Sequence, residues 1–212
     1  CAEQTPKLES NRSDSESTMP PALRAAWIQQ VQNEAGAKYA IVNVKDRRFE
    51  FEARHPKQNL RTRFNAESVE LSDRDGGAPL RLALTQVNGL DPGAGRLERE
   101  GNKVTVHRPE MDEWYVHGPM GLEQGFTIPE PLPTSGADDG VLRLAMAVEG
   151  DFSPSKRGKV IVWRGDERAL ETRELFAFDA DGKQLAASMR ASRTELTIEV
   201  QTARARYPIV ID

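Results

Sequence analysis

Beyond residue 38 the apolar residues recur with a period of two, and that period decides what the chain can become. Phe49, Phe51 and Ala53 alternate with Glu50 and Glu52, and Leu80, Leu82 and Leu84 with Arg81 and Ala83. Val104 and Val106 keep the rule, as do Leu142, Leu144, Met146 and Val148, then Val160 and Val162, and finally Leu196, Ile198 and Val200. Leu175 with Phe176 and Phe178 makes one more short apolar segment. Successive side chains of a strand point to opposite faces, so such alternation describes half-buried strands. Turn chemistry separates them: Asp75-Gly76-Gly77, Glu100-Gly101-Asn102, Arg164-Gly165-Asp166 and Asp181-Gly182-Lys183 supply the positive-φ and side-chain-bonded positions that tight turns need. About a dozen short strands at the 8–12-residue spacing typical of sandwiches are expected, with no βαβ rhythm. The expected fold is mainly β: an antiparallel β-sandwich, or two packed sandwiches, with one N-terminal helix and a flexible N-terminal tether.

The expected organisation has five segments: a tether over 1–19, a docked helix over 20–36, a first β half over 37–128, a Pro/Gly-rich stretch over 129–140 and a second β half over 141–212. The Pro/Gly-rich stretch is either a linker between two domains or a long crossover between the sheets of one. Pro20-Pro21 opens the helix, because proline suits a first helical turn. Leu23, Trp27 and Val31, with Ile28 beside them, form an apolar stripe expected to dock on the core, and Gly36 is the expected C-terminal cap.

Cys1 precedes a polar run, Ala2 to Thr18, with almost no large apolar side chain to offset its ordering entropy. A cysteine ahead of such a run reads as the start of a mature bacterial lipoprotein, with Cys1 the expected lipidation site. Ala2 in second place favours the outer membrane under the usual sorting rule.

Charge and cysteine content limit the chemistry. With 29 Lys and Arg against 33 Asp and Glu, the net charge of −4 offers no basic stripe for nucleic acid. One Cys and three His leave little material for a metal centre, and no cofactor is implied. His107, Glu110, Asp112 and His117 lie close in sequence, but in no recognised metal-ligand spacing. No G-x-S-x-G, P-loop or H-E-x-x-H pattern occurs, so the chain reads as a non-enzyme, with a cryptic hydrolase whose two acids stand at distant positions as the alternative.

The densest patterning is Asp112-Glu113-Trp114-Tyr115-Val116-His117-Gly118-Pro119-Met120-Gly121-Leu122-Glu123-Gln124-Gly125-Phe126-Thr127-Ile128. Together with Leu23-Arg24-Ala25-Ala26-Trp27, Val31-Gln32-Asn33-Glu34-Ala35 and the ending Ala205-Arg206-Tyr207-Pro208-Ile209-Val210-Ile211-Asp212, this block resembles the β-rich N-terminal region of large bacterial surface proteins that carry FG-GAP repeats. Those repeats build integrin-alpha-like propellers; His117 stands where the family would have Asn, and no repeat lies within these residues. The resemblance implies adhesion or assembly at a Gram-negative surface, with a protein partner or a C-terminal propeller domain. Membrane contact would come through the lipid anchor only.

Read as residues alone, Glu113 to Val116 form a strand entering a sharp turn, and Phe126 to Ile128 leave it. One reading places Trp114 and Phe126 in the core of a demanding corner. The other makes Trp114, Tyr115, His117 and Glu123 candidate ligand-binding residues lining a groove for a glycan or peptide, which would suit a carbohydrate-binding module or sugar receptor. The closing run Ile209-Val210-Ile211 is expected to be buried on both faces and paired with Leu196–Val200, with Pro208 marking its start.

Overall fold

The computed structural model describes residues 19–136, 139–166 and 168–212, and the tether expected over 1–19 falls outside them except for Met19. Among the described residues the alternating segments form seventeen strands in three sheets, and every pairing between these strands is antiparallel. An eight-stranded sheet runs in the spatial order β1 (Val42–Asn43), β2 (Phe51–Arg54), β3 (Leu60–Phe64), β4 (Val69–Asp73), β5 (Leu80–Val87), β10 (Val141–Glu149), β16 (Glu195–Gln201) and β15 (Ala187–Ala191). A six-stranded sheet runs β14 (Ala177–Phe178), β17 (Ile209–Ile211), β9 (Gly121–Ile128), β8 (Asp112–Gly118), β7 (Lys103–His107) and β6 (Arg96–Glu100). The third sheet holds β11 (Ser153–Arg157), β12 (Val160–Arg164) and β13 (Ala169–Thr172).

The two larger sheets pack as a sandwich around one core. Leu80, Leu82 and Leu84 of β5 and Leu142, Leu144, Met146 and Val148 of β10 meet Val104 and Val106 of β7, Phe126 and Ile128 of β9, and Ile209 and Ile211 of β17. These are the residues on the inward parity of each strand, as the period of two requires. In β12 the parity is the reverse of the expected one. Ile161 and Trp163 enter this core; Val160 does not, and Val162 is buried outside it. Four consecutive bulky residues, Val160 to Trp163, carry no polar alternation that could mark the inner face.

The halves before and after the Pro/Gly-rich stretch share both large sheets: β10 and β16 lie between β5 and β15, and β17 pairs with β9. The stretch over 129–140 is thus a crossover from one sheet to the other. Asn88 pins it, donating from Nδ2 to the Pro133 carbonyl at 3.2 Å and accepting from the Ser135 amide at 3.0 Å. The final strand also departs from expectation. It pairs with β9 and β14 rather than with Leu196–Val200, which is flanked on both sides by β10 and β15. Ile209 and Ile211 are buried while Val210 is only half-buried, so one face is covered fully.

Helix α1 spans Pro21–Asn33, with proline in its first turn. Its buried residues are Ala25, Ile28 and Gln32, whereas Leu23 and Trp27 are 57% and 40% exposed. The docked face therefore contains a glutamine and leaves most of the expected stripe outside. Ala25 and Ile28 pack with Phe176, just before β14, and with Phe178 in it, and Arg24 pairs with Glu174 at 2.7 Å. Gly36 does not cap the helix. Glu34 ends it, and Gly36 precedes a short 3-10 turn, Ala37–Tyr39.

Candidate functional site

The hairpin β8–β9 carries the densest sequence patterning, and its register decides where each side chain goes. Tyr115 opposes Gln124 and His117 opposes Leu122, while Val116 opposes Glu123 and Trp114 opposes Gly125. Opposed residues share a face, so Tyr115 and His117 lie on one side of the sheet, and Trp114 and Glu123 on the other. The four candidate residues do not line one groove. Tyr115 and His117 are 3% and 0% exposed and turn into the sandwich. Trp114, also buried, faces away from the sandwich: it lies across Gly125, where a Cβ would overlap the indole, and donates from Nε1 to Thr127 Oγ1 at 3.2 Å.

On the sandwich side a polar network is closed by residues from four segments. Glu113 Oε1 accepts from the Tyr115 hydroxyl at 2.5 Å and from Gln124 Nε2 at 3.0 Å, and Glu113 Oε2 accepts from Arg108 Nη2 at 3.1 Å. Arg108 Nη1 donates in turn to the Gly93 carbonyl at 2.8 Å. Burial pushes the Tyr115 hydroxyl well above its ordinary pKa, and the Glu113 carboxylate adds to the effect. A tyrosine held in this way is a permanent donor.

At the end of the sandwich, the rings of Tyr39, His55 and His117 meet edge to face, with centroids 5.4–5.6 Å apart. His55 Nδ1 accepts from the amides of Lys57 and Gln58 at 3.2 and 3.0 Å, so its proton is on Nε2, which donates to the Gly118 carbonyl at 3.1 Å. His117 Nδ1 donates to the Tyr39 carbonyl at 2.8 Å, and its Nε2 is buried with no partner among the described residues. Desolvation lowers both histidine pKa values, so both rings are neutral near pH 7.

The side turned towards α1 is built around Gln32. Its Nε2 donates to the carbonyls of Val116 and Gly121 at 3.4 and 3.3 Å, and its Oε1 accepts from the Met120 amide at 3.1 Å. A Cβ on Gly118 would overlap this side chain, so glycine there lets the helix come close. Asn102, in the β6–β7 turn, donates to the carbonyls of both Gln32 and His117 at 2.9 and 2.8 Å. Glu123 lies on this same side. Burial, and the repulsion of Asp212 beside it, raise its pKa to about 8; burial raises Asp212 to about 6.

Gln32, Tyr39, His55, Asn102 and Asp212 were not legible as one cluster, since residues far apart in sequence meet only at the hairpin. Asn102 alone sits within an expected turn. Cys1 lies outside the described residues. Of the sequence-adjacent acids and histidines, His107 pairs with Asp112 at 2.8 Å on a partly exposed strand, and His117 is inside the sandwich. Among the described residues no three His, Cys, Asp or Glu are grouped to hold a metal ion. No protein-family model, curated protein or solved structure matches this chain.

Proposed function

We propose that the chain is a non-catalytic module at a bacterial cell surface, lipid-anchored through Cys1, with a structural, adhesion or assembly role and a protein partner or propeller domain as its associate. The observation that carries this reading is the fate of the hairpin's polar groups. Tyr115, Glu113, Arg108, Gln124, His55, His117 and Gln32 are turned inward and bonded to one another or to backbone, which is how a chain holds a shape. The anchor rests on Cys1 ahead of a polar run. Stable membrane attachment needs more than one acyl chain, which a modified N-terminal cysteine supplies. Expression with a native leader and membrane fractionation test it: Cys1→Ser should move the protein into the soluble fraction without changing its unfolding midpoint. Membrane retention of that variant would overturn the anchor. Saturable binding on a glycan array would favour the sugar-receptor alternative instead.

A further inference from the structure

Between α1 and β9 lies a buried carboxyl group that no cation pairs with among the described residues. Both oxygens of Glu123 are buried without a hydrogen-bond partner among the described residues. Each surrounding element contributes little to neutralise them. From α1 comes Gln32, whose amide is shared with the Val116 and Gly121 carbonyls and offsets the effect of burial on Glu123 only in part. From the end of β17 comes Asp212, a second acid, held in place where Phe176 and Asp212 exchange backbone hydrogen bonds. From β7 comes Lys103, the nearest cation, its Nζ 5.4 Å from the centre of the Trp114 ring. From β8 come Val116 and Trp114, which carry no charge. Two facing carboxylates in such a place cannot both be ionised at low cost, because desolvation and repulsion outweigh what Gln32 and Lys103 offset.

We propose that α1 is a proton-linked latch: its docking on the six-stranded sheet depends on a proton held by the Glu123–Asp212 pair, and loss of that proton releases residues 21–34. Release would bare Phe176 and Phe178, against which Ala25 and Ile28 pack. The direction follows from linkage. A solvated glutamate titrates near 4.5 and the covered one near 8, so the docked state binds the extra proton between those values. Docking is therefore tightest at low pH, weakens as pH rises towards 8 and is constant above it. One proton per opening changes the opening equilibrium by at most about tenfold per pH unit. The histidine pair acts in the opposite sense and only below about 6.5, so the interval from 6.5 to 8 reports the carboxyl pair alone.

Hydrogen exchange read by mass spectrometry on the full chain tests this, after correction for the intrinsic pH dependence of exchange. Protection of residues 24–34 should fall by up to about tenfold per pH unit from 6.5 to 8 and then level off, while β10 and β16 stay constant. Glu123→Gln, or Glu123→Leu as a second neutral variant, should keep the helix protected across the range. Wild-type protection that ignores pH would overturn the latch, as would a neutral variant with the wild-type slope.

Discussion

Glu113 and Glu123 lie on adjacent strands of one hairpin, and both have buried carboxyl oxygens, yet their surroundings are opposite. Glu113 faces the sandwich and receives a guanidinium, a phenol and an amide, so each oxygen has a donor. Glu123 faces the helix, has no paired cation among the described residues and shares its space with Asp212. A buried carboxylate with its charge matched and its lone pairs filled fixes a structure in one arrangement. A buried carboxyl without donors keeps a proton instead, and the layer above it becomes sensitive to pH. The same β8–β9 ladder thus presents a rigid side to the large sheet and a conditional side to α1. The difference comes from partners, since the residue type is the same.

The strongest way to break the comparison is to take the donor from Glu113. Arg108→Ala leaves a charge buried in the sandwich, and the expected loss is about 3–5 kcal/mol in urea denaturation followed by circular dichroism. A loss below about 1 kcal/mol would mean that the sandwich side is no more tightly specified than the helix side. The helix side is tested next by Ile28→Ala, which removes a buried side chain between α1 and Phe176 and should cost about 2–4 kcal/mol. Its signature should differ from that of Arg108→Ala: exchange should rise in α1 at denaturant concentrations where the large sheet is still protected.

A third experiment lowers the pH. His55 and His117 have depressed pKa values in the folded state, so the unfolded chain binds more protons below about 6.5. Stability due to these rings is complete above that pH and is lost as pH falls through the folded values. In a Glu123→Gln, Asp212→Asn background, which removes both opposing carboxyl groups, the unfolding free energy from urea titration should drop between pH 6.5 and 5.5 by an amount of order 1 kcal/mol. A midpoint that does not move would mean that the rings stay solvated. The smallest effect is expected at Trp27. Its side chain is 40% exposed and outside the docked face, so Trp27→Ala should stay within about 0.5–1 kcal/mol. A loss as large as that of Ile28→Ala would put the docked face where the apolar stripe suggested.

The helix shows why a site can be illegible while its elements are not. Pro20-Pro21 and the run after it mark α1 correctly, because helix initiation is a local matter. The docked face is another matter. Of the expected stripe of Leu23, Trp27, Val31 and Ile28 only Ile28 is buried, joined by Ala25 and Gln32, which match what the sheet offers: close approach over Gly118 and carbonyls at Val116 and Gly121 that need a donor. A ranking by apolarity counts Gln32 against burial and so selects the wrong side. The hairpin shows the converse. Its turn and its buried Phe126 were readable, since turn chemistry and period two act within a few residues, but the return strand starts at Gly121 rather than Phe126, and Trp114 is buried on the face away from the core. The candidate set of Tyr115, His117 and Glu123 failed as a single groove because the register sends Glu123 to the other face.

From sequence alone, alternation, turn residues and the absence of a βαβ rhythm determined the antiparallel β class, the place of the helix and the core residues of β5, β7, β10 and β16. Each of these depends on neighbours within a few positions. Only the tertiary structure decided that the two halves share both sheets, that Ile209–Ile211 pairs with β9, and that Gln32, His55, Asn102 and Asp212 gather around one hairpin. The physical reason is that strand pairing is set by which edges find their ladder partners, and backbone hydrogen bonds carry no residue-specific label. Any apolar edge strand offers the same donors and acceptors, so the choice among them is made by packing across the whole core.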